Sequence, residues 1–313
     1  MLRNTRHAPT VRRSLLTTLA LTITIAVVVS ATAVASASDA HHGRDDDHHA
    51  DEHGNGSDRD AHEHHKDNDQ NARGPKPTIV LVHGGWADAS SWSAVAQRLE
   101  EDGYPVVAPA NPLRGVPSDS AYLASLLATI SGPIVLVGHS YGGVLITNAA
   151  TGNPNVKALV YIAAFAPDQG ETVGQLLAMN PGSQAAPPNL TFRPYPGGAD
   201  VYITSSAFHS VFCADLPAKT AAAMAVTQRP IDAAALSEPS GVPAWKTIPS
   251  WYVVASNDEA IPPATERFMA KRAGATTVEV ASSHVAMISH PKAVTDLILD
   301  AARAVDTAPS GVG

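Results

Sequence analysis

Pro133-Ile134-Val135-Leu136-Val137-Gly138-His139-Ser140-Tyr141-Gly142-Gly143-Val144-Leu145-Ile146 decides how the rest of the chain is read. Its first half is a continuous run of apolar, mostly branched residues, the mark of a strand buried on both faces. Gly138 ends that run, and a helix starts within residues 144–150. Between them, Gly138 to Gly142 fits G-x-S-x-G on a strand-to-helix turn. A serine on so sharp a turn takes a strained backbone, tolerated because the flanking glycines carry no Cβ. Its hydroxyl is presented at the sheet edge near a helix N-terminus, where the dipole favours negative charge. A lone G-x-S-x-G is more often an ordinary glycine-rich turn. The strand before it and the helix after it make Ser140 a candidate nucleophile.

Reading outward, residues 78–82 (T-I-V-L-V) form another short apolar strand that delivers His83-Gly84-Gly85-Trp86. Residues 90–99 have helical spacing, with Trp92, Val95, Ala96 and Leu99 on one face. A strand is expected at 104–108, a helix at 121–130 and a strand at 158–164. This alternation implies an α/β domain, a mostly parallel sheet covered by helices on both faces. After Ala166 the rhythm breaks. Residues 168–245 are rich in Pro, Gly and Ala, too long for a bare loop, and are expected to form a small helical cap. The sheet resumes at 250–254, followed by a helix at 264–273, a strand at 277–280 and a closing helix at 291–305.

A serine hydroxyl needs a base to take its proton. Five histidines lie in this part of the chain: His83, His139, His209, His284 and His290. His284, in the short loop Ser282-Ser283-His284 after the last strand, stands where the order Ser, Asp, His expects its base. His83 reads as structural, His139 cannot turn its ring to the Ser140 hydroxyl, His209 falls in the cap, and His290 marks a helix start before Pro291. The carboxylate that orients the imidazole is expected to be Asp258, in the loop after strand 250–254. Glu259 and Asp168 are the other carboxylates to weigh. Oxyanion donors are expected from the backbone N–H groups of Tyr141 and Gly85, with Trp86 beside them as a substrate-binding residue. None of this chemistry requires a cofactor or a catalytic metal.

The ends of the chain have a different texture. Residues 1–14 carry Arg3, Arg6, Arg12 and Arg13, followed by an apolar stretch and the small residues T-A-V-A-S-A-S-D. That is the layout of a secretory signal over residues 1–37, cleaved after Ala35 or Ala37. Arg12-Arg13-Ser14-Leu15-Leu16 also resembles a twin-arginine export signal, so a secreted protein is expected. Residues 38–74 read as a disordered linker. Within it, 39–70 hold eight histidines and eleven carboxylates against three Arg or Lys. Imidazoles at this density can take up adventitious divalent metal. Residues 75–307 are expected to be the folded domain and 308–313 a flexible tail. The net charge of −8 leaves no basic footprint for nucleic acid. Cys213 is the only cysteine, so no intrachain disulfide is possible.

His83-Gly84-Gly85-Trp86, Gly138-His139-Ser140-Tyr141-Gly142-Gly143, Ser256-Asn257-Asp258-Glu259-Ala260-Ile261-Pro262-Pro263 and Ser283-His284-Val285-Ala286-Met287-Ile288-Ser289-His290-Pro291 resemble the motifs of α/β-hydrolase-fold serine esterases. The last block is similar to the H-x-x-M-x-S-x-P end of the subgroup that includes plant methylesterases and hydroxynitrile lyases. The resemblance covers residues 77–305 and implies a cofactor-free carboxylesterase with Ser140, Asp258 and His284 as its triad. Lyases of that subgroup carry a lysine after the catalytic histidine and a threonine after the first-loop histidine. Here Val285 and Gly84 stand there, as suits an esterase cleaving a small-molecule ester. The alternatives are sister chemistries on the same triad (perhydrolysis, lactone or amide hydrolysis, a lyase reaction) and a non-catalytic ligand- or metal-binding protein.

Overall fold

The apolar runs of the sequence become the strands of one sheet. A computed structural model describes residues 75–306 of the chain. The expectations for the leader (1–37), the His-rich linker (38–74) and the tail (308–313) lie outside the described residues. The chain runs β1 (Thr78–Val82), α1 (Ser93–Glu101), β2 (Val106–Val107), α2 (Val116–Leu127), β3 (Ile134–Ser140), α3 (Tyr141–Ala149) and β4 (Val156–Ala164). It resumes after an insertion with β8 (Ser250–Ala255), α8 (Pro263–Arg272), β9 (Thr276–Val280), α9 (Ala286–Ser289) and α10 (Pro291–Asp306). The six strands pair in the order β2-β1-β3-β4-β8-β9, every pair parallel.

Crossovers between parallel strands are right-handed, so their direction decides which face a helix covers. The step from β1 to β2 runs one way along the sheet and the step from β3 to β4 runs the other. Helices α1 and α3 therefore lie on opposite faces; α10 packs on α1, and α2 on α3. Covered on both sides, β3 is buried at all seven positions. Tyr161 and Tyr252 stack within this core at 5.8 Å. Each fully buried Leu, Ile or Val contributes about 1.5–3 kcal/mol relative to exposure.

The insertion is not the purely helical cap expected. It contains α4 (Val173–Met179), a hairpin of β5 (Leu190–Tyr195) and β6 (Gly198–Ile203), α5 (Ser205–Phe212), α6 (Ala218–Thr227), β7 (Ile231–Asp232) and α7 (Ala233–Ser237). β5, β6 and β7 make a separate three-stranded antiparallel sheet. The hairpin turns on Pro196 and Gly197, the latter at φ 101°, which a glycine adopts without strain. Two further boundaries differ from the sequence reading. α2 begins at Val116 because Pro117 is tolerated in a helix's first turn, and β2 shrinks to two residues at the sheet edge.

Candidate active site

The chain leaves β1 for one edge of the sheet and β3 for the other, although the two strands are neighbours. Such a reversal opens a crevice at the strands' carboxyl ends, where open α/β sheets bind ligands. Ser140 closes β3 at that crevice, with φ 53° and ψ −123°. A backbone of this kind costs a non-glycine residue about 1–3 kcal/mol and persists only where its surroundings enforce it. Two constraints enforce it here. The β3–β4 register slips between His139 and Ser140, and the Phe165 N–H donates to the Ser140 carbonyl at 3.1 Å. The loop after β1 closes on the same turn. A Cβ at Gly84 would stand 2.6 Å from the Ser140 Cβ, so only glycine fits.

His284, in the loop after β9, is fully buried. Its Nδ1 donates to Asp258 Oδ2 at 2.5 Å. Asp258 Oδ1 accepts the N–H groups of Ala260 at 2.7 Å and Ile261 at 2.9 Å. An ionised carboxylate can only accept, so the ring proton sits on Nδ1 and the Nε2 lone pair is left bare. Nε2 is buried and has no hydrogen-bond partner among the described residues. Of the three carboxylates weighed, Asp258 is the one His284 meets. Glu259 is exposed, and Asp168 pairs with Lys246 at 2.5 Å.

Ser140, His284, Tyr141, Gly85 and Trp86 all line one cleft that encloses about 370 Å³ of empty space, counted out to its mouth. Tyr141 is the first residue of α3, so its N–H has no intrahelical acceptor. The Trp86 N–H donates to the Arg229 carbonyl at 2.8 Å, and its indole N–H to the Val201 carbonyl at 2.9 Å. Its ring is thereby fixed as a wall of the cleft. His83 braces the loop from below. Its Nδ1–H donates to the Gly84 carbonyl at 2.9 Å, and its Nε2 accepts the Asn111 N–H at 3.0 Å. Burial holds this imidazole's pKa below the ordinary histidine value, so it stays neutral. His209 and His290 stand apart from the cleft. His209 Nε2 donates to the Leu216 carbonyl at 2.9 Å within the cap. His290, half-exposed before α10, meets the Ser289 hydroxyl at 2.9 Å. Burial, and after it Asp215, pushes the Cys213 thiol up to about 12, which leaves it uncharged and inert.

Three supporting residues were not foreseen. His139 Nε2 donates to the His284 carbonyl at 2.9 Å, with the two rings 4.7 Å apart. Burial, and next the adjacent His284, hold His139 well below the ordinary histidine range. It is a neutral brace for the backbone of His284. Asp215, between α5 and α6 of the cap, accepts the Ser283 N–H at 3.0 Å and also the Ser283 hydroxyl. It fixes the residue immediately before His284 from the cap side. Asp119, fully buried in α2, accepts the Tyr141 hydroxyl at 3.1 Å and the Arg114 N–H at 2.9 Å.

The alpha/beta hydrolase family matches residues 79–297. The chain is 31% identical over 125 residues to the carbendazim hydrolyzing esterase of Nocardioides sp. (strain SG-4G), covering 36% of this chain and 50% of that protein. The chain thus spans about half the length of that relative. It is 28% identical over 254 residues to the pyrethroid hydrolase of Sphingobium wenxiniae, covering 72% of this chain and 88% of that one. In fold it is similar to a crystal structure of polyneuridine aldehyde esterase, with a TM-score of 0.62 at 20% identity over 72% of this chain and 99% of that chain. A crystal structure of a methylesterase from Arabidopsis gives a TM-score of 0.60 at 18% identity over 73% and 98%. The expected fold is met, and the chain belongs to the α/β-hydrolase family.

Proposed function

We propose that this protein hydrolyses small, uncharged carboxylic esters through attack by Ser140, and that the leader of residues 1–37 exports it. The observation that carries the reading is the bare, buried Nε2 of His284, whose other nitrogen is held by Asp258 at 2.5 Å. In this reading the Ser140 hydroxyl gives its proton to Nε2 as its oxygen bonds to the ester carbonyl carbon. The imidazolium that forms is stabilised by Asp258, and the N–H groups of Gly85 and Tyr141 hold the oxyanion. The intermediate collapses to an acyl-enzyme as the alcohol leaves with the proton from Nε2. Water then repeats the sequence and releases the acid. Apolar walls that include Phe165, Val173, Leu177, Ile231 and Leu236 support an uncharged substrate. The relatives named as an esterase and as a pyrethroid hydrolase support the same reaction class. Val285, buried beside the base, offers no cation for a lyase's leaving group.

The test is a panel of p-nitrophenyl esters of rising acyl length, run with the wild type and Ser140→Ala. The expected result is turnover strongest on short chains and lower by about 10⁴ in the variant. Equal rates in wild type and variant would refute the assignment.

A further inference from the structure

Glu266 is a fully buried carboxyl that the proposed reaction does not use. It lies in the first turn of α8, beneath the loop that carries Asp258. Its Oε2 accepts the N–H of Ala255, the last residue of β8, at 3.0 Å. Its Oε1 finds no N–H or hydroxyl donor among the described residues. The Glu266 carboxyl instead lies against the carboxyl of Asp258, within hydrogen-bonding reach if one of the two is protonated. Two ionised carboxylates cannot make such a bond, and a pair held this close cannot both ionise. One of them therefore carries a proton.

Counting donors decides which one. Asp258 already receives two backbone N–H groups and the His284 Nδ1–H. Glu266 receives a single backbone N–H. Three donors favour the ionised form of Asp258, while one leaves a buried Glu266 anion poorly compensated. Placing the proton on Glu266 also gives this carboxyl, whose Oε1 receives no donor, a hydroxyl of its own to offer. The other groups around it agree. Tyr252, from β8 beneath, is held un-ionised by burial. Arg267, next in α8, points away into its ion pair with Glu279 of β9. Burial first, and the Asp258 charge second, hold Glu266 far above the ordinary carboxyl range.

We propose that Glu266 is a positioning residue for ester hydrolysis, a protonated carboxylic acid whose O–H donates to the Asp258 carboxylate and so fixes the acid that orients His284. The inference rests on the reading of Ser140, Asp258 and His284 as the triad. A donor on Asp258 also disperses its charge, which tempers the pull of Asp258 on the His284 imidazolium. The other groups against His284 are the ring of Phe212 and the neutral His139, so Asp258 is the charge that a change at Glu266 reaches. Asp215 touches this loop through Ser283.

Two readouts test it. In the infrared, the protein at neutral pH is expected to show a protonated-carboxyl C=O band that is lost in Glu266→Gln. The band should persist in Ser140→Ala. Kinetically, Glu266→Met removes the donor. It should lower kcat by about ten- to hundredfold, the effect of one hydrogen bond to a charged group, with little change in KM. It should also move the acid limb of kcat/KM to higher pH, because an undispersed Asp258 charge favours the imidazolium. Glu266→Gln keeps a donor and an acceptor and should restore most of kcat and the wild-type limb. Absence of the band would overturn the proposal. So would an acid limb moved clearly to lower pH in Glu266→Gln, since removing an ionised Glu266 would ease loss of the His284 proton. If Glu266→Met does not fold, the band and the Glu266→Gln profile still decide. A protein that shows the band but cleaves no ester would sink the hydrolase reading and leave the proton assignment standing.

Discussion

β3 and β8 inside the main sheet and β5 at the edge of the cap sheet are opposite kinds of strand. β3 is buried at every position and β8 likewise, whereas β5 of the cap has four exposed residues and two half-buried ones. A strand buried on both faces fixes its ends to a fraction of an ångström, because neither face can shift without opening a void. The Ser140 turn and the Asp258 loop hang from such strands, whereas the His284 loop follows the exposed strand β9 and is held by Asp258, His139 and Asp215 instead. The cap supplies the changeable wall of the cleft through Leu177 of α4, Ile231 of β7 and Leu236 of α7. In the proposed reading the chemistry rests mainly on rigidly packed strands, and substrate choice on the cap. Asp215 is the point where the two meet, since it reaches from the cap to the residue before His284.

The sharpest way to break this division is to substitute the two histidines flanking α9. His284→Ala should lower kcat/KM by about 10⁴, whereas His290→Ala should change it less than tenfold. A loss that follows His290 instead would show that the base is not on the sheet loop. A smaller effect is expected from the cap. Leu177→Ala and Leu236→Ala should each shift preference toward longer acyl chains by about tenfold, the scale of a methylene or two in an apolar pocket. An unchanged chain-length profile would mean that the cap does not select the substrate.

The main sheet should also set the response to acid. His83 and His139 are both held neutral by burial, with folded-state pKa values below the ordinary histidine value. Unfolding frees them to take up protons. The stability they contribute is therefore present above about pH 6.5 and lost as pH falls through it, by up to about 1.4 kcal/mol per pH unit for each. Thermal melts should show Tm falling from pH 7 to pH 5. A flat Tm would contradict the neutral assignment. The smallest effect should come from the segment farthest in composition from both regions. Deleting residues 39–70 should leave Tm and turnover nearly unchanged, yet abolish retention on immobilised nickel, because eight of fourteen histidines lie there. Loss of turnover on deletion would show that the segment belongs to the domain.

How much of this was legible in the sequence follows the same division. Apolar runs such as 78–82 and 134–137 announced their strands because burial on both faces leaves one reading. The β5–β6 hairpin was hidden because Phe192 is exposed and Pro194 interrupts any alternation, although Pro196-Gly197-Gly198 carried a turn signal. Ser140, Asp258 and His284 were singled out by motif and chain order, and the structure brings Asp258 to His284. Glu266 was missed, but its spacing from the buried Met269 and Ala270 puts it on the same helix face. A glutamate on a buried face is the signal that could have found it. Asp215 left no trace of this kind, since its partner Ser283 lies 68 residues away.

The central claim is that Ser140 is activated by the pair His284 and Asp258, and covalent labelling tests it most directly. The purified protein would be treated with a fluorophosphonate, digested, and its modified peptide identified by mass spectrometry. The account predicts one adduct, on Ser140, formed by the wild type and lost in both Ser140→Ala and His284→Ala. No adduct on the wild type, or an adduct on another residue that survives Ser140→Ala, would contradict it.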